Sequence, residues 1–280
     1  MSQSISKPLE KFIAFFEGMS NGQKFGWVLI CLSLFWLVEF AIPLVSFGYK
    51  KWRHARTNLV LLVFTILINT IFGIATVGVF IWMDNQNFGL LNVIKLPIWL
   101  ELLTSLMILD LVAQYIVHVL LHKYKFMWKL HLVHHSDTAI DVTTGTRLHP
   151  GDYVFREIFG LIAILVGGIS FPFYIFYKIT TVFFTYFSHA NIQLPAVLDK
   201  TLSYVFVTPN MHKFHHHFER PWTNTNYGNI FSIWDRIFGT FVYDDTRKIR
   251  YGVDVLEDST SDNLVYQLKV PFDRSIKTDY

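Results

Sequence analysis

Apolar residues in this chain gather into runs, and three runs are long enough to cross a bilayer as helices: approximately Phe25 to Phe47, Leu59 to Met83 and Leu96 to Leu121. About 20 apolar residues in a helix span the roughly 30 Å of hydrocarbon in a membrane. A fourth apolar stretch, Ile158 to Phe187, is interrupted at Gly167, Gly168 and Pro172, a pattern that predicts two helices forming a hairpin that either spans or re-enters. From Gln193 onward polar and aromatic residues mix, with Pro195, Pro209 and Pro221 as punctuation and a charged tail after Asp244. The expected fold is an all-α integral membrane protein with about four transmembrane or re-entrant helical elements under a helical cap. Residues 1–280 form a single membrane domain, with N-terminal spans within 25–83 and a C-terminal tail over 243–280. Internal repeats and low-complexity tracts are absent from the sequence.

Composition strengthens the membrane reading. Hydrophobic residues make up 52% of the chain and charged residues 16%, with a mean hydropathy of +0.36, whereas a soluble domain carries about a quarter charged residues. The segment from Met1 to Lys24 lacks the basic start, short apolar core and small-residue cleavage site of a signal peptide, so the first apolar run is expected to be retained. Cys31 is the one cysteine, which excludes an intrachain disulfide framework and a thiolate-rich metal or iron-sulfur site.

Charge then orients the spans. Lys50, Lys51, Arg53 and Arg56 follow the first run, and Lys123, Lys125 and Lys129 follow the third, so both clusters are expected on the cytoplasmic side of a bacterial inner membrane or the endoplasmic reticulum. The loop from Asp84 to Lys95 falls on the opposite face. Everything after Leu121, apart from the hairpin, returns to the cytoplasmic side. A net charge of +3 without a basic face excludes nucleic acid as a partner.

Twelve histidines are present, and all but His54 lie between positions 118 and 217. His118 and His122 stand four apart at the end of the third span, on one helical face. His131, His134 and His135 in HLVHH, and His212, His215 and His216 in HKFHH, repeat the pattern HxxHH. On a helix such a triplet projects three imidazoles to one side. Each histidine alone reads as a polar group satisfied by backbone or water. Eight together beside hydrocarbon would leave costly unpaired polar groups unless they share a partner, and a metal is such a partner. Imidazole suits zinc, copper, iron and nickel, and eight ligands exceed what one tetrahedral ion needs, so two ions are expected. No HExxH zinc-protease motif occurs, and bis-histidine haem would place its ligands nearer mid-span.

HVLLH, HLVHH and HKFHH resemble the HxxxH, HxxHH and HxxHH boxes of the fatty acid hydroxylase and sterol desaturase superfamily over roughly residues 110–242. HHSDTAIDVTTGTRLHP, SHANIQLP, VTPNMHKFHHH, NTNYGN and IWDRIFGTF agree with bacterial sterol-desaturase-like members, and the last two also resemble alkylglycerol monooxygenase. The resemblance implies a non-haem di-iron centre that uses O2 as co-substrate to hydroxylate or desaturate a membrane lipid. Its ligands would be His118, His122, His131, His134, His135, His212, His215 and His216, with His189 of SHAN as a ninth. Asp110, Asp137 and Asp235 are candidates to orient ligand imidazoles, and His149, Asn226 and Tyr227 to line the site or face the substrate. Two positions depart from the family pattern: Val119 stands where arginine is frequent, and Thr185 where some hydroxylases have a further ligand histidine, a place left to water or a group such as His149. His217 is expected to point away from the site, and His54 to belong to the basic loop.

Electrons must come from a separate ferredoxin, cytochrome or reductase, since these residues contain no dinucleotide fingerprint, cysteine cluster or cytochrome motif. An alkylglycerol-monooxygenase-like chain would use a pterin to cleave an ether lipid. A reading from another class is a histidine-rich metal transporter or sensor, whose site would sit near mid-membrane at interrupted helices.

Overall fold

A computed structural model describes residues 7–48, 50–247 and 249–278. Met1 to Ser6, part of the stretch read above as lacking signal-peptide features, lie outside the described residues. Every long element is helical, and the described residues contain isolated bridges but no β-strand.

Helix α1 (Lys7–Glu17) lays Phe12 and Phe16 against Phe176. Helix α2 (Asn21–Ala41) begins at a capping box, in which Ser20 Oγ accepts from the Gln23 amide and Gln23 returns a bond to the Ser20 amide, so its first orphan amides are satisfied. Helix α3 (Lys51–Gln86) stops at Asn87, which adopts the left-handed conformation, and the short α4 (Leu90–Val93) follows. Helix α5 (Ile98–Asp110) passes through a π turn at Leu111–Ile116 into α6 (Val117–Lys123), making one rod. Three helical stretches, Asn21–Ala41, Lys51–Val93 and Ile98–Lys123, are long and apolar enough to cross a membrane, in line with the three expected runs. Leu37, Phe40, Ile71, Ile74, Val77 and Trp99 are exposed along them, as suits lipid contact.

Helix α7 (Lys125–His135) turns back from α6, and a tight turn at Val142–Thr146 leads to α8 (Pro150–Gly167) and α9 (Phe171–His189). The break expected at Gly167 and Gly168 is real: Gly168 adopts φ 65° and closes α8. The turn of this hairpin lies against Gly89, where a methyl group added to the glycine would stand 2.2 Å from Gly168 Cα. With 18 residues, α8 is about 27 Å long, so the hairpin reaches the far connection between α3 and α5. The core at that depth includes Phe80, Leu109, Ala163, Ile164, Phe173 and Tyr177.

Short helices α10 (Ala196–Leu202), α11 (Pro209–His215), α12 (Ile233–Ile237) and α13 (Leu264–Lys269) make the cap. The tail is packed rather than loose: Val253, Val270 and Ile276 bury against Trp128, Leu132 and Val133 of α7, while Gln267 accepts from Ser136 Oγ and the Asp273 carbonyl from Lys129 Nζ.

Candidate metal centre

The helix ends at Ala41, Lys51, Lys123, Pro150 and His189 meet at one end of the bundle, and buried polar side chains fasten them. Glu39, near the end of α2, accepts from the amides of Val142 and Asn191 at 2.6 and 2.7 Å and from Lys51 Nζ at 2.7 Å. Asn58 of α3 donates to Thr143 Oγ1 at 2.9 Å. Arg147, fully buried, donates to the carbonyls of Val133 and Ser261, to Asn58 Oδ1 and to Ser136 Oγ. A buried guanidinium is tolerated when its donors are filled, and this one ties α3, α7 and the tail together.

Within that frame all nine candidate ligands are buried and fall into two adjoining groups. His118, His122, His131, His135 and His215 make one, and His134, His189, His212 and His216 the other; within each, one ring nitrogen per residue lies within 4.8 Å of the others. The rings of His135 and His216, one from each group, stack at 4.7 Å.

Hydrogen bonds set the ring orientation. Nδ1–H of His118 donates to the Tyr227 carbonyl at 2.8 Å, that of His134 to Arg147 at 3.2 Å, that of His189 to Thr185 at 2.7 Å and that of His215 to Thr225 at 2.6 Å. His131 Nδ1–H donates to Asp152 Oδ2 at 2.6 Å, and His122 Nδ1–H to Asn224 Oδ1 at 3.2 Å. Once Nδ1 carries the proton, Nε2 of a neutral imidazole has only a lone pair. Yet His118 and His131 face each other Nε2 to Nε2 at 3.0 Å, as do His134 and His189 at 3.3 Å. Nε2 of His135, Nε2 of His215 and both ring nitrogens of His216 have no hydrogen-bond partner among the described residues. Converging lone pairs in a buried site repel unless a cation lies between them, so this donor set fits metal ions.

Charge points the same way. Burial, reinforced by neighbouring imidazoles, pushes His134, His135, His212, His215 and His216 well below the ordinary histidine range, toward the neutral form a metal needs. Burial alone would raise the Asp152 carboxyl, but Arg156, 2.8 Å away, and His131 outweigh it and hold it down to about 2. His131 therefore carries an ionised carboxylate behind its ring, an arrangement that makes a ligand more basic and fixes its angle.

Several sequence expectations need correction. Asp110, Asp137 and Asp235 touch no candidate ligand. Asp110 accepts from the amides of Ile230 and Phe231 and from the Trp234 indole. Asp137 accepts from Thr144 Oγ1 at 2.7 Å and lies 3.4 Å from His54. Asp235, which burial raises to about 6, accepts from the amides of Tyr227 and Gly228, so it acts on His118 at one remove, by holding the Tyr227 carbonyl. His149 lies outside both groups and does not replace the histidine missing at Thr185; its Nδ1 caps α8 at the Gly151 amide and Nε2–H donates to the Leu268 carbonyl. Asn226 clamps the loop, bonding to Met211 and Val242. Tyr227 does reach the site, its ring 5.1 Å from that of His122. His54 is no loop residue: it is buried in α3, with Asp262 at 3.3 Å. His217 stays outside both groups and accepts from the Glu219 amide.

Sequence reading missed Asp152, Asn224, Arg147 and Glu39. A carboxylate in the first turn of α8 with Arg156 four residues later was a usable signal for Asp152; the others depend on contacts between distant segments.

A helical bundle with three helices able to cross a membrane and nine imidazoles gathered at one end is a membrane protein with a histidine-rich site fit for two metal ions. Residues 103–240 match the family model described as fatty acid hydroxylase, so this chain carries a fatty acid hydroxylase domain, as the histidine boxes implied. It is similar to ornithine lipid hydroxylase OlsE of Rhizobium tropici, 32% identical over 127 residues, 45% of this chain and 38% of that protein. Alkylglycerol monooxygenase of Xenopus tropicalis is 29% identical over 140 residues, 50% of this chain and 30% of that protein. The human alkylglycerol monooxygenase is 26% identical over 140 residues, again 50% and 30%. The matched stretch thus spans well under half the length of these relatives. No solved structure matches the chain.

Proposed function

We propose that this protein is a membrane-bound, O2-dependent oxidoreductase that hydroxylates or desaturates a lipid C–H bond at a non-haem di-iron centre. The observation that carries the reading is the facing Nε2 lone pairs of His118 and His131 and of His134 and His189 within two adjoining groups of five and four imidazoles. The choice of iron is supported by the family match and the lipid-hydroxylase and monooxygenase relatives.

When bound, the two ions would supply the redox capacity to activate dioxygen and remove hydrogen from an unactivated carbon. The protein's own part is placement. Backbone carbonyls and Asp152 hold the rings to one tautomer, and the buried frame of Glu39, Asn58 and Arg147 keeps the helix ends together and water out. The four-histidine group has one ligand fewer. Thr185, four residues before His189, offers no imidazole, and its Oγ1 accepts instead from Asn229 at 2.9 Å. Catalytic metal sites keep such an open position, so we assign the O2 and substrate side to this group. The lipid would arrive from the bilayer, electrons from a separate carrier, and the basic residues Lys50, Lys51, Arg53 and Arg56 favour a cytoplasmic placement of the site.

The test combines metal analysis of purified protein with lipid profiles of cells making wild-type or His134→Ala chains. Two irons per wild-type chain and a hydroxylated or unsaturated lipid lost with His134→Ala are expected; identical lipid profiles would sink the reading. The similarity to alkylglycerol monooxygenases favours a second reading, pterin-dependent cleavage of an ether lipid. Turnover with tetrahydrobiopterin and no protein donor would select it. A transporter reading loses ground because the imidazoles cluster where helix ends meet, not at an interrupted mid-span.

A further inference from the structure

Trp128, on α7, is 2% exposed and packs against three rings of the five-histidine group. Its indole lies 4.8 Å from the His122 ring, 5.3 Å from His135 and 6.2 Å from His131, centroid to centroid. The same residue lines a surface pocket of about 330 Å³ whose wall includes Phe218, Glu219, Arg220 and Asp254. The Arg250 guanidinium stacks on Phe218 at 4.0 Å, so charges of both signs ring the opening. One side chain therefore joins the protein surface to three imidazoles of one group.

Resting on the reading of this site as a redox metal centre, we propose that Trp128 is the electron entry: a one-electron carrier protein docks over this pocket, and the indole conducts its electrons to the five-histidine group. The volume sits at the low end of small-molecule sites, about 300 to 1,000 Å³, and takes the edge of a prosthetic group. A mixed-charge rim around a small recess is the chemistry of transient protein docking. The indole lies between the pocket and the imidazoles of His122, His131 and His135 and offers the shortest aromatic path from that surface to them. The two groups would then divide the work, His118, His122, His131, His135 and His215 holding the ion that receives electrons and His134, His189, His212 and His216 the ion on the O2 and lipid side. Each passage would oxidise the donor by one electron, and iron held by His118, His122, His131, His135 and His215 would supply the one-electron acceptor. Two passages balance one hydroxylation, in which R–H, O2, two electrons and two protons give R–OH and water.

The test uses the full chain in lipid nanodiscs, loaded with iron, oxidised and mixed rapidly with reduced [2Fe–2S] ferredoxin in the absence of lipid substrate. Iron content and ferredoxin affinity are measured beside the reduction rate. Trp128→Leu is expected to keep its iron and ferredoxin affinity while reduction slows severalfold, with Trp128→Phe in between. Asp254→Trp, which fills the recess without touching an imidazole, is expected to weaken ferredoxin binding severalfold, in the metal-free chain as well. Unchanged reduction by ferredoxin in Trp128→Leu that retains its iron overturns the route. Should Trp128→Leu lose iron, unchanged binding and reduction in Asp254→Trp overturn it instead. A wild-type chain that holds no iron overturns the metal reading on which the route rests.

Discussion

Single residues decide whether the imidazoles can act as ligands. Asp152 is the clearest case, since a carboxylate held down to about 2 stands 2.6 Å from His131 Nδ1. Asp152→Asn keeps the shape and removes the charge, and metal affinity measured by competition with a chelator is expected to fall about 10- to 100-fold. The ligand histidines also set a pH limit. Burial keeps the rings of His134, His135, His212, His215 and His216 neutral in the fold, whereas in an unfolded chain histidine protonates near about 6.5. Their lowered folded values mean that stability and metal retention are complete above that pH and are lost as the pH falls below it. Metal release followed across an acid titration should show retention at neutral pH and progressive loss in the acid range; retention that does not change with pH would contradict this account.

At the level of elements, the open question from the sequence was whether Ile158 to Phe187 crosses the membrane. Hydropathy could not answer, because two glycines and a proline interrupt the run. Packing shows how far the hairpin reaches: α8 and α9 extend from the candidate metal site to the far connection, where Gly168 meets Gly89 at φ 65° and 109°. Neither position has room for a β-carbon, and both use backbone angles that favour glycine. A membrane-impermeant thiol reagent is expected to label Val166→Cys, at an exposed position in the last turn of α8, and Asn87→Cys from the same side of the membrane. A re-entrant hairpin would instead leave Val166→Cys unlabelled from that side. The expected spans at 25–47, 59–83 and 96–121 agree with α2, α3 and the α5–α6 rod because continuous apolar runs report directly on burial in lipid. Helix ends were less legible. Helix α3 extends back to Lys51 and carries His54 into a buried pairing with Asp137 and Asp262, since neighbouring segments, and not the local pattern, supply its partners.

For the whole molecule, the segment after Asp244 supports the histidine cluster although it lies beyond the residues 103–240 that match the hydroxylase family model. It accepts from Arg147 at the Ser261 carbonyl, meets His54 through Asp262 and covers Trp128, Leu132 and Val133. A chain truncated after Tyr243 is expected to lose metal and to aggregate, because it exposes apolar α7 and strands a buried guanidinium, at several kcal/mol; normal iron content and a monodisperse elution profile would contradict this. The sequence by itself determined the helical membrane class and the nine imidazoles, because hydrophobic run length and the spacing of like ligands along a helix are local properties. It also marked Thr185 as the position with no histidine. Tertiary structure alone decided how the nine divide into five and four, and which groups hold them. Asp152, Asn224 and the carbonyls of Arg147, Thr185, Thr225 and Tyr227 took the places that Asp110, Asp137 and Asp235 were expected to fill. Hydrogen bonds depend on which distant backbones converge when helix ends are packed together, and no periodicity along one segment records that convergence.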